Sequence, residues 1–455
     1  MPRHRFVKIA SILCIALFVS SLAAGAETPA QREARMKWWT DARFGMFIHW
    51  GLYALPARHE WVKNHEKITD EAYQKYFDHF NPDLYNPADW VRAAKNAGMK
   101  YIVITSKHHE GFCLWDSKYT DYKAPKTPAG RDLLKPLVEA ARAEGIKIGF
   151  YYSLLDWHHP DYTIDRCHPM WGNKEFMEKA KGRDFSKYQE YLYNQVRELM
   201  TEFGTIDVLF MDFSFPGKDG KGRNDWQSEK LIKMIRELQP GIIVDDRLDL
   251  LDVPGGWDYR TPEQEMPKEW VQVDGRPVPW ETCQTFSGSW GYYRDETSWK
   301  STNQLIGMLI ETVSKGGNLI LNVGPTARGT FDRRATDRLQ SMGEWMKVNS
   351  RSIYGCTQAP AEFPVPQNCL LTYNAAAKRL YVHVLRWPID ILRLDGFAGK
   401  VAYAQLLNDA SEIRYTEEGL GPAGKKGEKT ANSLVLELPI AKPGVEIPVI
   451  ELFLK

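Results

Sequence analysis

The chain has 455 residues, 43% of them hydrophobic, which predicts a globular protein of about two domains. Its 59 Lys and Arg residues nearly balance 58 Asp and Glu residues, which argues against nucleic acid or an anionic membrane surface as a partner. The 16 Trp and 21 Tyr residues are an unusually large number. They fit either a large aromatic core or a site where rings cover the apolar face of a sugar.

Residues 1–26 are predicted to be a secretory signal peptide rather than part of the fold. A basic start with Arg3, Arg5 and Lys8 precedes an apolar run over residues 9–22, and the small residues 24–26 offer a cleavage site. This pattern is typical of a signal peptide, and the run is too short for a membrane span. We therefore expect an exported protein, in a bacterial periplasm or secreted, without membrane insertion.

Residues 27–354 alternate short apolar runs with amphipathic helical patterns. The apolar runs predict strands at Phe44–Trp50, Tyr101–Thr105, Ile146–Tyr151, Ile206–Met211, Ile242–Val244 and Asn318–Leu321. The helical patterns lie at Ala88–Asn96, Leu133–Glu144 and Ser228–Leu238, each stopping close to a glycine. This alternation predicts an α/β fold, with a (β/α)₈ TIM-like barrel favoured over an open doubly wound sheet. No glycine-rich phosphate loop follows any of these strands, which counts against nucleotide binding.

Residues 355–455 have a different pattern, with short alternating strands and polar turns. Strands are predicted at Leu380–Leu385, Leu434–Leu438 and Val449–Leu454, and a turn rich in Gly and Lys covers Gly421–Lys429. The pattern predicts a C-terminal β-sandwich domain of roughly 100 residues.

Polar and aromatic side chains recur where the predicted barrel strands end. In a (β/α)₈ barrel these carboxyl ends meet at the face that carries the active site. Each residue alone has a structural explanation, such as a helix cap or a buried hydrogen bond, but their recurrence favours one convergent site. After the predicted strands, in chain order, they are His49, His108, His109, Tyr151, Asp212 and Arg247, and a later segment carries Glu281 and Trp290.

The histidines are better suited to hydrogen bonding than to binding a metal. His108 and His109 are adjacent, so in an extended segment their side chains point to opposite sides. The sequence has no His-x-x-x-His motif and no cysteine cluster that would form a zinc site. We therefore expect no metal and no other cofactor, and hydrogen bonds from these histidines to sugar hydroxyls.

Several motifs together resemble the α-L-fucosidase family of retaining glycoside hydrolases, glycoside hydrolase family 29. The resemblance runs from about residue 31 to residue 350, and the trailing β-domain also fits. The motifs are Phe47-Ile-His-Trp-Gly51, Glu60-Trp61, Lys107-His-His-Glu-Gly-Phe-Cys-Leu-Trp115, Tyr151-Tyr-Ser153, the strand ending in Asp212, Trp290-Gly-Tyr292 and Asn318-Leu-Ile-Leu-Asn-Val-Gly-Pro325.

The resemblance implies an exo-acting enzyme that releases L-fucose from α-L-fucosides through a covalent fucosyl-enzyme intermediate. A retaining glycosidase needs two carboxyl groups roughly 5–5.5 Å apart, one to attack the anomeric carbon and one to protonate the leaving oxygen. Asp212 matches the family's nucleophile. Glu263 matches the acid/base in the most similar members, and Glu281 is the rival for that role.

By the same resemblance, a fucosylated oligosaccharide or glycoconjugate is the partner of the site. The residues implied in substrate binding are His49, Glu60, Trp61, His108, His109, Tyr151, Arg247 and Trp290. The chain departs from the family next to the nucleophile, with Phe210 and Phe213 where the family often has Trp and Gly. Two alternatives stay open: a retaining hydrolase of another sugar, and a carbohydrate-binding protein on a degenerate barrel.

Overall fold

The computed structural model describes residues 27–418 and 432–455. The predicted signal peptide, residues 1–26, and the predicted turn at 421–429 lie outside the described residues. Within the described ranges, no helix combines the length and the apolar character that crossing a bilayer requires.

The barrel part contains most of the helices and a mainly parallel set of strands. The helices are α1 (Pro29–Ala42), α2 (Val62–His65), α3 (Asp70–Asp78), α4 (Pro87–Asn96), α5 (Leu134–Ala143), α6 (Lys174–Lys179), α7 (Phe185–Glu202), α8 (Arg223–Trp226), α9 (Ser228–Leu238), α10 (Thr302–Ser314) and α11 (Arg333–Asn349). The strands are β1 (Phe44–Ile48), β2 (Tyr101–Lys107), β3 (Lys147–Ser153), β4 (Val208–Asp212), β5 (Ile243–Val244), β6 (Gln272–Val273), β7 (Arg276–Pro277), β8 (Glu281–Thr285) and β9 (Asn318–Val323).

Seven of these strands form one parallel sheet in the order β5-β4-β3-β2-β1-β9-β8. The six strands predicted from apolar runs are all in this sheet. The seventh, β8, was not predicted as a strand because its sequence, Glu-Thr-Cys-Gln-Thr, is polar although every residue in it is buried. A strand buried on both faces normally reads as an apolar run, so the polar residues of β8 mark a specialised part of the sheet.

An irregular stretch, residues 259–263, connects the two outer strands of this sheet; we call it the closing segment. Tyr259 pairs in parallel with Asp245 just after β5, while Arg260 pairs with Trp280 and Glu263 pairs with Cys283 of β8. The sheet is thereby curled into a TIM-like barrel with its helices outside, which confirms the predicted fold class. The closing segment stands where a regular eighth strand would lie.

The helices begin and end where local signals place them. Pro87 occupies the first turn of α4 and the Asn86 side chain accepts a hydrogen bond from the backbone N–H of Ala88, which fixes that start. At α10, Ser301 and Gln304 form a reciprocal capping box. The predicted bounds of α9 agree with the structure, and its apolar face, with Leu231 and Ile235, is buried.

The C-terminal region forms two antiparallel sheets with a common core. Its strands are β10 (Thr357–Gln358), β11 (Cys369–Asn374), β12 (Arg379–Val384), β13 (Ile391–Asp395), β14 (Val401–Leu406), β15 (Tyr415–Glu418), β16 (Ser433–Glu437) and β17 (Val449–Leu454). One sheet has the order β10-β11-β12-β17-β14 and the other β13-β16-β15. Val382 and Leu452 of the first sheet share a buried cluster with Leu394 and Leu436 of the second, as in a β-sandwich. The bounds 27–354 and 355–455 for the two domains stay predictions.

Gly45 in β1 gives a direct test of how tightly the barrel is packed. It pairs with Tyr101 of β2, and a Cβ at Gly45 would overlap the fully buried Tyr101 ring. We expect Gly45→Ala to lower the free energy of unfolding by roughly 1–3 kcal/mol, because the ring must shift within a close-packed interior. Urea denaturation measures this change.

Gly182 is the matched control, because a Cβ there meets nothing within 4 Å. Gly182→Ala should change the free energy of unfolding by no more than about 0.5 kcal/mol. Equal losses for the two variants would contradict the packing described for β1 and β2.

Candidate active site

A recess opens at the carboxyl ends of the barrel strands, with a volume of about 340 Å³ including the open space at its mouth. It brings together residues from distant parts of the chain: Phe47, His49, Trp61, His108, His109, Tyr151, Phe210, Asp212, Phe213, Arg247, Glu263, Cys283 and Trp290. We call this recess the central pocket. Both residues of the favoured carboxylate pair and seven of the eight predicted substrate-binding residues line it; Glu60 lies behind its wall.

The two carboxylates of the central pocket share a single arginine nitrogen. Arg247 Nη1 donates to Asp212 Oδ1 at 2.7 Å and to Glu263 Oε2 at 2.8 Å. These two oxygens can therefore be no farther apart than the sum of both distances. For these two oxygens, the limit is compatible with the roughly 5–5.5 Å separation of a retaining pair.

Asp212 is held as a carboxylate. It ends β4, and its Oδ2 accepts a hydrogen bond of 2.6 Å from the Tyr151 hydroxyl. Burial acts to raise the pKa of Asp212, but the charge of Arg247 and the hydrogen bonds from Tyr151 and Arg247 outweigh it and lower the pKa. An ionised oxygen with a fixed orientation is what a nucleophile at this position requires.

The pKa of Glu263 is shifted in the opposite direction, upward. It lies on the closing segment at the rim of the pocket, and its side chain is 44% exposed. Partial burial raises its pKa, the Arg247 cation opposes this, and the Asp212 carboxylate raises it further, with a net upward shift. Two neighbouring carboxyl groups whose pKa values move apart are typical of a nucleophile and a general acid.

The structure does not bring Glu281, the rival for the acid/base role, to Asp212. Glu281 is the first residue of β8 and is fully buried at the amino end of that strand, where the Tyr101 hydroxyl donates to it. Cys283, two residues further along the same strand, is the residue that reaches the central pocket. Burial raises the pKa of Glu281 to about 8, so it is a mostly neutral core residue near pH 7.

Two histidines are oriented so that each presents a bare ring nitrogen. His49 Nδ1 lies 2.6 Å from Asn322 Oδ1, and the Asn322 amide donates to the Trp290 carbonyl, so His49 Nδ1 carries the proton. His109 Nδ1 lies 2.7 Å from the Ser153 hydroxyl, which itself donates to the Leu155 carbonyl. In both rings Nε2 is therefore an acceptor.

Burial keeps these rings neutral. It lowers the pKa of His49 to about 4 and that of His109 to about 3, and it also lowers the pKa of His108. The Nδ1 atom of His108 is buried without a hydrogen-bond partner. Buried polar atoms are normally paired, so this unpaired nitrogen is an exception within the pocket wall.

Glu60 organises the wall of the central pocket from behind. Its Oε2 accepts hydrogen bonds from the backbone N–H groups of Trp290 and Gly291 at 3.0 and 2.9 Å and from the Ser289 hydroxyl at 3.1 Å. The side chain is 1% exposed. Glu60 thus fixes the loop that carries Trp290, whose ring lies 5.1 Å from the His49 ring.

Sequence reasoning missed part of the pocket wall. Phe47 and Cys283 line it, although neither was proposed as a site residue. Phe47 could have been found, because it precedes His49 by two residues and so points to the same side of the chain.

Phe213 has an unusual backbone for a bulky residue. Its φ angle is 79°, in the left-handed region that favours glycine. This conformation explains why glycine would suit the position after the nucleophile, and it turns the Phe213 ring against Trp61 and His109. The Phe210 ring lies under the Arg247 guanidinium at 4.9 Å.

The described residues contain no group of three or more His, Cys, Asp or Glu side chains placed to hold a metal ion. The five cysteines of residues 27–418 are free thiols: Cys113, Cys167, Cys283, Cys356 and Cys369.

Comparisons with known proteins agree with this geometry. The family model described as "Alpha-L-fucosidase" matches residues 22–351. The human plasma α-L-fucosidase is 31% identical over 77% of this chain and 76% of its own length. The solved structure of α-L-fucosidase isoenzyme 1 from Paenibacillus thiaminolyticus matches with a TM-score of 0.86 at 45% identity, and the match covers 93% of this chain and 99% of that one.

A third relative was solved as a trapped covalent intermediate. This α-L-fucosidase from Bacteroides thetaiotaomicron, in complex with 2-fluoro-fucosyl fluoride and carrying a Glu-to-Gln mutation, has a TM-score of 0.77 at 30% identity. It covers 95% of this chain and 98% of its own. The family model and these relatives span most of the chain, and the chain belongs to the α-L-fucosidase family.

Proposed function

We propose that this protein is a retaining α-L-fucosidase that releases terminal L-fucose from fucosylated oligosaccharides or glycoconjugates. The observation that carries the proposal is the single Arg247 nitrogen bonded to both Asp212 and Glu263. It sets a carboxylate separation suited to double displacement, and it favours an ionised Asp212.

The reaction then has two steps. An Asp212 oxygen forms a bond to the anomeric carbon while the bond to the leaving oxygen breaks and Glu263 gives that oxygen its proton. Water next attacks the anomeric carbon of the fucosyl-Asp212 ester, and Glu263, now a carboxylate, takes a proton from the water. Fucose leaves, and both carboxyl groups return to their starting states.

The rest of the pocket suits one sugar ring. The bare Nε2 atoms of His49 and His109 can accept hydrogen bonds from sugar hydroxyls, while Trp290 supplies an apolar wall. A recess this small, closed below by Phe47 and Phe210, fits a terminal residue rather than the middle of a glycan chain. This supports exo action.

Hydrolysis of a chromogenic α-L-fucoside tests the proposed function. The unmodified protein should release the chromophore, and Asp212→Ala should lower kcat by roughly 1,000-fold or more, because the oxygen that forms the glycosyl ester is lost. Activity should be unchanged in a strong chelator. Binding of the fucoside without turnover by the unmodified protein would instead support a carbohydrate-binding protein.

Separate substitutions of Glu263 and Glu281 test which of the two is the acid/base. Glu263→Gln should lower kcat by roughly 10²–10⁴-fold for a glycoside with a poor leaving group, because the general acid is lost. Glu281→Gln keeps a neutral side chain of the same shape in the core, so its activity should stay within a few-fold of the unmodified protein. The reverse order of effects would assign the role to Glu281.

The pH profile gives these variants a second readout. In the unmodified protein kcat/KM should rise with pH through the lowered pKa of Asp212 and fall as pH passes the raised pKa of Glu263. Glu263→Gln should lose the alkaline fall, whereas Glu281→Gln should keep it. An alkaline fall that persists in Glu263→Gln would show that another group donates the proton.

We further propose that the protein is exported, because residues 1–26 have the pattern of a signal peptide. N-terminal sequencing of protein recovered from the periplasm or medium of a bacterial host should find Glu27 as the first residue. Retention of Met1 in exported protein would contradict this proposal.

A further inference from the structure

The Arg247 side chain has a third anchor besides Asp212 and Glu263, which is Thr261. The Thr261 hydroxyl accepts a hydrogen bond from Arg247 Nε at 2.9 Å, and the Thr261 carbonyl accepts one from Nη2 at 3.2 Å. A hydroxyl can donate as well as accept, and a hydroxyl proton turned toward Nε–H would repel the arginine. The position of Arg247 therefore depends on which group receives the proton of the Thr261 hydroxyl.

Asp246 receives that proton. Its Oδ1 atom accepts a hydrogen bond from the Thr261 hydroxyl at 2.6 Å and another from the Thr261 backbone N–H at 3.1 Å. A hydroxyl has one proton, so this bond leaves only lone pairs of the Thr261 oxygen to face Arg247 Nε. Asp246 thus determines that Thr261 acts as an acceptor for the arginine.

Asp246 also holds the closing segment, which carries Glu263. Its Oδ2 atom lies 3.0 Å from Arg260 Nε, and its side chain is only 11% exposed. The contacts of Asp246 therefore fix two consecutive residues of that segment, Arg260 and Thr261. Pro262 then links Thr261 to Glu263, and the fixed φ angle of proline makes this short link stiff. The position of the acid is tied to the same carboxylate as the position of the arginine.

We propose that Asp246 is a positioning residue of the reaction, which acts through Thr261 on the place of Arg247 between the two carboxyl groups. The inference rests on the proposed function, since it concerns the same site. Asp246 does not line the central pocket, and its side chain bonds to Thr261 and Arg260. Its effect on the reaction is therefore indirect, and it can be measured separately from the roles of the two carboxyl groups.

The pH dependence of hydrolysis of an α-L-fucoside with a poor leaving group tests this inference. Asp246→Ala should lower kcat by roughly 10–100-fold, because a small displacement of groups at a reacting centre has an effect of this size. The Arg247 cation lowers the pKa of Asp212 and opposes the upward shift of the pKa of Glu263. When Arg247 is displaced both pKa values rise, so both limbs of the bell-shaped kcat/KM profile should move to higher pH.

The direction of this movement is diagnostic. Removal of the Asp246 charge alone would lower the pKa of neighbouring carboxyl groups, because a nearby negative charge raises such a pKa. A loss of folded protein would lower the rate and move neither limb. The charges of Asp245 and Cys283, which also act on Arg247, are not altered by the substitution itself. An upward movement of both limbs therefore reports the displacement of Arg247.

Thr261→Val is the second variant. It replaces the hydroxyl with a methyl group of similar size and changes no charge, so it keeps the test valid if Asp246→Ala folds poorly. It should also move both limbs to higher pH. Thr261→Ser keeps the hydroxyl and should have both limbs where the unmodified protein has them. The double variant Asp246→Ala/Thr261→Val should be no more than about twofold slower than Asp246→Ala, because residues that act as one unit are not additive.

Asp249→Asn is the matched control. Asp249 is half-buried like Asp246, and it accepts a hydrogen bond from the backbone N–H of Arg223 at 3.2 Å. Among the described residues it forms no hydrogen bond with the closing segment. Its φ angle of 60° is tolerated by asparagine, so the backbone should be undisturbed. This variant should leave kcat and both limbs unchanged.

The outcomes separate the two proposals. If the unmodified protein does not hydrolyse the fucoside, the proposed function fails and this inference fails with it. If it does, but Asp246→Ala and Thr261→Val leave the limbs in place or move them to lower pH, the function stands and Asp246 is not a positioning residue. Losses that multiply in the double variant would show that Asp246 does not act through Thr261, which would also overturn the inference.

Discussion

The position of the Arg247 guanidinium between two carboxyl groups is the constraint on which the site depends. This single cation lies beside both groups, yet Asp212 must be ionised and Glu263 must keep its proton. The difference arises from the surroundings: the charge of Arg247 and the hydrogen bond from Tyr151 outweigh the burial of Asp212 and lower its pKa, whereas partial burial and the negative charge of Asp212 raise the pKa of Glu263. Arg247 is itself fixed by Thr261, which accepts from its Nε at 2.9 Å.

This constraint explains the irregular closure of the barrel. A regular eighth strand would continue its pairing along β8, but the closing segment makes isolated pairings with β5 and β8 and carries both Thr261 and Glu263. The same short segment thus positions Arg247 through Thr261 and carries Glu263 to the pocket. Catalytic side chains commonly lie at the carboxyl ends of barrel strands. Here the closing segment takes the place of one strand and carries the acid, Glu263.

The sequence predicted the barrel well because parallel strands buried on both faces must be apolar, and six of the seven were found on that basis. It failed at β8, where Glu281 and Thr282 are buried although polar. Sequence reasoning favoured Glu263 over Glu281 only through the family resemblance, because nothing in the local pattern distinguishes the two glutamates. Only the strand register shows that Glu281 lies at the amino end of β8, two residues before Cys283, and so is too deep in the barrel to reach the pocket. Pairing across the barrel, such as His49 with Asn322, also depends on register and could not be inferred from spacing.

Covalent labelling tests the central claim most directly, namely that Asp212 is the nucleophile opposite a separate proton donor. A 2-fluoro-fucosyl fluoride slows the second step, and Glu263→Gln removes the base that the second step needs. Mass spectrometry of Glu263→Gln protein treated with this reagent should find one fluorofucosyl group per chain, on the peptide that contains Asp212. An adduct on a different carboxylate, or none despite release of fluoride, would contradict the account.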